Sequence, residues 1–165
     1  MRVSQWMTPM AISVAPGTPV AEARELMRRN RIRHLPVMEG ERLVGIVTDR
    51  DIRLSLPSPA TTLSVWEANY LVARLAVREV MTRSVITIDS DQPVADAVQL
   101  MLKHKIGALP VVEAERVVGI ITETDFRAIV KMLREQLVRT LNAELSCSWV
   151  HQGVARKERT TCWTC

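Results

Sequence analysis

Apolar and polar positions along this chain follow two periods, and the sequence of periods is played twice. Ile12-Ser13-Val14 alternates as a short strand, and Pro16-Gly17 punctuates it. Thr18-Pro19 then reads as an N-cap with proline at the first helical position. Val20, Ala23, Leu26 and Met27 recur at helical spacing, with Glu22, Arg24, Arg28 and Arg29 on the other side, so one face packs and the other is solvated. Leu35 to Met38 and Leu43 to Val47 are apolar runs of strand length, separated by the turn signal Glu39-Gly40-Glu41-Arg42. The last strand runs into Thr48-x-x-Asp51, a capping-box pattern that predicts a second helix.

The whole plan returns 74 residues later without a gap, and 22 of the 47 positions from Met7 to Arg53 are identical to their partners. Leu35-Pro36-Val37 becomes Leu109-Pro110-Val111, and Thr48-x-x-Asp51 becomes Thr122-x-x-Asp125. Two copies are too few for a solenoid. They predict an α+β fold of two tandem units, each roughly β-α-β-β-α, packed about a pseudo-two-fold axis with a cleft lined by both. The expected divisions are residues 1–60 for the first unit, 61–79 for a connecting helix, 80–133 for the second unit and 134–165 for a helical extension with an irregular tail. Leu56 to Thr62 reads as a linker and Leu63 to Glu79 as a helix carrying Trp66, Tyr70, Leu71 and Leu75, either a packed strut or an oligomer contact. Phe126, Ile129, Val130, Leu133, Leu137 and Leu141 keep helical spacing beyond the repeat, and from Ser146 the pattern stops.

Composition narrows the function classes. With 165 residues, the two units leave little room for a separate catalytic domain. The net charge of +4 is spread thinly: five basic and three acidic residues from Arg134 onward account for half of it. Neither a basic stripe nor a set of stacking aromatics is present, so nucleic acid is not an expected partner. No apolar run reaches the roughly 18 residues of a membrane span, and Met1 to Trp6 lacks a secretory pattern, so a soluble, cytoplasmic protein is expected. Cys147, Cys162 and Cys165 all lie near the end of the chain, which excludes a disulfide framework for the repeats. Cys162-Trp163-Thr164-Cys165 has the spacing of a redox or zinc motif but no flanking strand or helix pattern, and a tetrahedral zinc would need two further ligands, for which His151 and Cys147 are the only nearby candidates, so no metal site is expected.

No nucleophile with a base, no paired acid and base and no complete P-loop occurs in the repeats, so no catalytic residues are assigned and the chain is not expected to be an enzyme. The paired Thr-x-x-Asp segments admit two readings. In one they only cap helices; in the other they cap and also face a ligand.

These residues resemble a tandem pair of CBS domains, the Bateman module, over roughly residues 7 to 130. The resemblance implies that an adenosine-containing ligand, AMP, ADP, ATP or S-adenosylmethionine, lies in the cleft between the repeats. On that resemblance Asp51 and Asp125 accept hydrogen bonds from ribose hydroxyls, and Thr48 and Thr122 contact ribose or phosphate. Ile12, Ile32, Ile86 and Ile106 hold the adenine, and Pro36, Gly107, Ala108 and Pro110 line the same cleft. Arg33, His34 and Arg50 supply cations that Gly107, Ala108 and Thr124 lack, so phosphate is expected to prefer the Asp51 side; a solvated connection is the plainer reading of Arg33 and His34. The implied role is regulatory: a ligand-binding module that signals to a protein partner. A ligand-free oligomerisation or interaction scaffold is the alternative. A homodimer, two pairs forming a flat four-unit disc, is expected in either case.

Overall fold

The computed structural model describes residues 1–55 and 74–153, with side chains described as far as 139. Met1–Asp125 forms one compact unit that holds both repeats, and the helix from Phe126 onward forms another. The observed class is α+β.

In the first repeat, α1 (Val20–Asn30) leads to β2 (His34–Glu39), β3 (Arg42–Thr48) and α2 (Asp49–Ser55). The second repeat follows the same order with α4 (Val94–His104), β5 (Ala108–Glu113), β6 (Arg116–Thr122) and α5 (Glu123–Gly153), preceded by a short strand β4 (Ile88–Asp89). Two short elements complete the unit, β1 (Thr8–Pro9) and the one-turn helix α3 (Val77–Val80). Each hairpin is antiparallel and in equivalent register, with Pro36 opposite Ile46 and Pro110 opposite Ile120. Proline in an inner strand normally forfeits a ladder bond. Here Ile46 sends both its N–H and its carbonyl to Thr82 on the far side, at 2.9 Å each, so the face it turns to Pro36 needs no donor.

The repeats exchange their leading segments. Val3 N–H donates to the Gln92 carbonyl and Ser4 N–H to the Ser90 carbonyl, both at 2.9 Å, while Thr8 and Pro9 pair with Ile120 and Gly119. The sheet order β1-β6-β5-β4 therefore contains a strand that the sequence counts with the first unit. Reciprocally, Val77 N–H donates to the Thr18 carbonyl and Arg78 N–H to the Pro16 carbonyl, and Thr82 pairs with Ile46. Val3 and Val77, 74 residues apart, are both fully buried, each closing the core of the repeat that does not directly follow it.

Close approach of these exchanged segments explains the glycines at equivalent places in β3 and β6. A Cβ on Gly119 would meet the Thr8 carbonyl oxygen at 2.6 Å, and one on Gly45 would meet Met81 Sδ at 2.5 Å. The first core gathers Val14, Val20, Ala23, Met27, Leu35, Val37, Val47, Ile52 and Val77. Its counterparts Ile88, Val94, Ala97, Met101, Leu109, Val111 and Ile121 are buried in the second repeat.

Four sequence expectations change. Thr18 is not the N-cap of α1: Pro19 holds that position, and Thr18 Oγ1 instead accepts a hydrogen bond from Ala15 N–H at 3.2 Å, closing the preceding turn. The Ile12–Val14 strand shrinks to one parallel bridge, Val14 to Val37. The expected helix 63–79 does not run unbroken, since Ala76 is extended before α3 begins; its Trp66, Tyr70 and Leu71 lie outside the described residues. Finally, α5 continues to Gly153, past the end of the apolar pattern at Ser146, because propagating a formed helix costs little. The tail with Cys162 and Cys165 lies outside the described residues. Among the described residues no helix is long and apolar enough to cross a membrane, and no group of three or more potential metal ligands is found.

Candidate functional site

At the two equivalent strand-to-helix junctions, the Thr48-x-x-Asp51 capping box forms in full and Thr122-x-x-Asp125 forms its carboxylate half. Asp51 Oδ2 accepts from Thr48 N–H at 2.9 Å and from the Thr48 hydroxyl at 2.7 Å, and Asp51 N–H donates to Thr48 Oγ1 at 3.2 Å. Asp125 Oδ2 likewise accepts from Thr122 N–H at 2.8 Å and from its hydroxyl at 2.9 Å. Each carboxylate thus commits one oxygen to the cap. The other, Oδ1, makes no hydrogen bond to a described residue, and both aspartates keep partial exposure. A fixed carboxylate with one oxygen open, beside the first free amides of a helix, can accept from a hydroxyl pair while the amides face an anion.

The junctions are placed by equivalent backbone bonds: Asp49 N–H donates to the Arg33 carbonyl at 3.0 Å, and Glu123 N–H to the Gly107 carbonyl at 3.1 Å. Side chains then break the symmetry. His34, from the first repeat, reaches Gly107 in the second; its Nε2 lies 3.4 Å from where a Gly107 Cβ would stand, and Glu123 Cδ and Oε1 lie 3.5 Å from the same point. Burial, with the neighbouring Arg33 guanidinium, lowers the His34 pKa from its usual 6.5, while Glu123 and Asp51 act in the opposite sense. Protonation of His34 therefore belongs to pH values below those expected for a free imidazole.

The structure brings Arg33, His34 and Asp51 of one repeat together with Gly107 and Glu123 of the other. Arg33 and Arg50 are exposed; Ile12 is exposed, and Ile32, Ile86 and Ile106 are half-buried. Ile32 also packs against the first core. Pro36 and Pro110 are fully buried and Ala108 nearly so, which leaves them able to shape a slot through the strands but with little surface to offer a ligand. A depression of about 340 Å³ lies elsewhere, on α5, lined by Lys131, Arg134, Glu135, Val138 and Arg139. Glu123 was not singled out from the sequence, although the repeat alignment holds the signal: it stands where the first copy has Asp49, an acidic residue two before the capping aspartate in both.

Comparison with known proteins identifies the fold that carries these residues. The chain is 33% identical over 131 residues to the uncharacterized protein MJ1225 of Methanocaldococcus jannaschii, covering 74% of this chain and 45% of that protein. It is 36% identical over 115 residues to inosine-5'-monophosphate dehydrogenase of Korarchaeum cryptofilum, covering 69% of this chain and 21% of the enzyme. The chain thus spans less than half the length of either relative. Against the CBS domain-containing protein YhcV of Bacillus subtilis, 31% identity over 123 residues covers 74% of this chain and 81% of YhcV. Among solved structures, the CBS domain pair of MJ0100 in complex with 5'-methylthioadenosine and S-adenosyl-L-methionine superposes with a TM-score of 0.67 at 29% identity, covering 79% and 96% of the two chains. CBSX2 in complex with AMP gives 0.65 at 32%, covering 79% and 97%. The CBS domain family model matches residues 3–58 and 77–131, so this chain belongs to the CBS domain family and carries the domain as a tandem pair.

Proposed function

We propose that this chain is a regulatory module that binds an adenosine-containing ligand, AMP, ADP, ATP or S-adenosylmethionine, between its two CBS repeats and passes the binding state to a protein partner. The observation that carries the reading is the pair of capping aspartates, each with one oxygen spent on its helix and one that, among the described residues, makes no hydrogen bond. That arrangement leaves each carboxylate an acceptor for a ribose hydroxyl, and it occurs at equivalent places in both repeats. The ligand-bound CBS pairs of MJ0100 and CBSX2 support the ligand class. No catalytic role is proposed.

A thermal-shift screen with AMP, ADP, ATP and S-adenosylmethionine tests it. A ligand at 100 times its dissociation constant should stabilise the fold by about 2.7 kcal/mol. A melting temperature unmoved by all four would favour the ligand-free scaffold instead.

A homodimer belongs to the same proposal. Val130, Leu133, Leu137 and Val138 lie exposed on α5 and offer apolar surface that a second copy would cover. Light scattering should give the dimer mass at micromolar concentration, and a chain cut after Val130 should give the monomer. A monomer mass for the full chain would remove the dimer.

A further inference from the structure

Each capping aspartate shares the first turn of its helix with a second acid, and the two ends differ in what stands around that pair. In the first repeat Arg50 precedes Asp51 in the chain, Arg33 lies close enough to act on His34, and the local acid Asp49 is already paired, with Arg53 Nε at 2.9 Å from its Oδ2. Beside Asp125, the position equivalent to Arg33 is Gly107, and the space a side chain would enter is faced by the Glu123 carboxylate and His34 Nε2. Among the described residues Glu123 makes no ion pair.

We propose that Glu123 sets the ligand class of the Asp125 end, which accepts an adenosine whose 5' substituent is neutral or cationic and disfavours a phosphate, leaving phosphate to the Asp51 end. The inference rests on the adenosine reading above and concerns which adenosine each end takes. Two carboxylates, Glu123 and Asp125, occupy the first turn of α5. A phosphate there meets like charge from both, and the free amides of the helix start offset only part of it. An ammonium or sulfonium group at the same place meets attraction instead. His34 does not cancel the Glu123 charge at neutral pH, because burial and Arg33 keep its imidazole uncharged.

The test uses the full chain carrying Asp51→Asn, which weakens the first end, with and without Glu123→Gln. Calorimetry compares adenosine, AMP and 5'-amino-5'-deoxyadenosine at pH 7. Glu123→Gln keeps the backbone bond to Gly107 and the side-chain shape, and a melting curve confirms the fold. With Glu123 present, the cationic analogue should bind about tenfold tighter than AMP, and Glu123→Gln should bring the two within about threefold. An AMP affinity equal to that of the cationic analogue, or a preference that Glu123→Gln leaves unchanged, overturns the inference while adenosine binding still stands. Loss of all adenosine binding in the chain without substitutions overturns the adenosine reading and this inference with it.

Discussion

The two repeats share a core and differ at their edges. Val20, Ala23, Met27, Leu35 and Val37 have buried counterparts in Val94, Ala97, Met101, Leu109 and Val111, all identical in type. The differences concentrate in the segment before α1 and its counterpart before α4, on the solvated face of those two helices, and at Arg33-His34 against Gly107-Ala108, with Gly40 against Ala114 at the hairpin turn. A core side chain is held by neighbours on every side, so a change of shape there costs packing energy in both copies. A turn or cleft residue has a free side, and the copies can diverge there without losing the fold. The asymmetry of Arg33-His34 against Gly107-Ala108 is therefore where function has room to differ between the two ends.

The largest expected effect tests the exchanged segments. Gly119→Ala drives a Cβ into the backbone carbonyl of Thr8 at 2.6 Å, whereas Gly45→Ala meets chiefly the flexible Met81 side chain, with the Thr82 carbonyl at 3.1 Å. Urea denaturation should show a loss of about 3 kcal/mol for Gly119→Ala and about 1 kcal/mol for Gly45→Ala. Equal losses would mean that the two segments are held with the same tolerance.

A smaller effect separates the turns. Gly40 takes a left-handed φ of 62° with no atom near its missing side chain, while the second copy puts Ala114 and Glu115 at 45° and 67°. Left-handed backbone costs an L-residue roughly 1–2 kcal/mol. Ala114→Gly should therefore stabilise the fold by about 0.5–1 kcal/mol in the same denaturation measurement, part of the relief being returned as unfolded-chain entropy. Gly40→Ala should destabilise it by a similar amount. A destabilising Ala114→Gly would show that the second turn is not strained.

Much of this fold is legible in the sequence. Helix and strand periods placed α1, β2, β3 and their counterparts, and the Thr-x-x-Asp spacing marked both capped helix starts. The exchange of leading segments was not legible, because the repeat aligns Val3 with Val77 without saying which core each enters. Pairing across such a distance is decided by the sheet edge that each segment finds, and no local period records it. The role of Thr18 failed for a local reason: its hydroxyl had two competing uses, and the turn at Ala15 took it. Pro36 and Pro110, which the resemblance puts along the cleft, are fully buried in β2 and β5. Glu123 escaped notice because glutamate at a helix start is ordinary; only its approach to Gly107 and His34 across the repeats gives it a distinct place.

The central claim is that Asp51 and Asp125 face a ribose as well as capping their helices, and calorimetry with AMP and S-adenosylmethionine on the parent chain, Asp51→Asn and Asp125→Asn tests it most directly. Asparagine retains an oxygen acceptor for Thr48 or Thr122, so stability should fall by about 1 kcal/mol or less. Each substitution should nevertheless weaken binding at its own end by about tenfold, or about 1.4 kcal/mol. Full affinity in both variants, with a sharp fall in stability, would contradict the account and leave the two aspartates as helix caps alone.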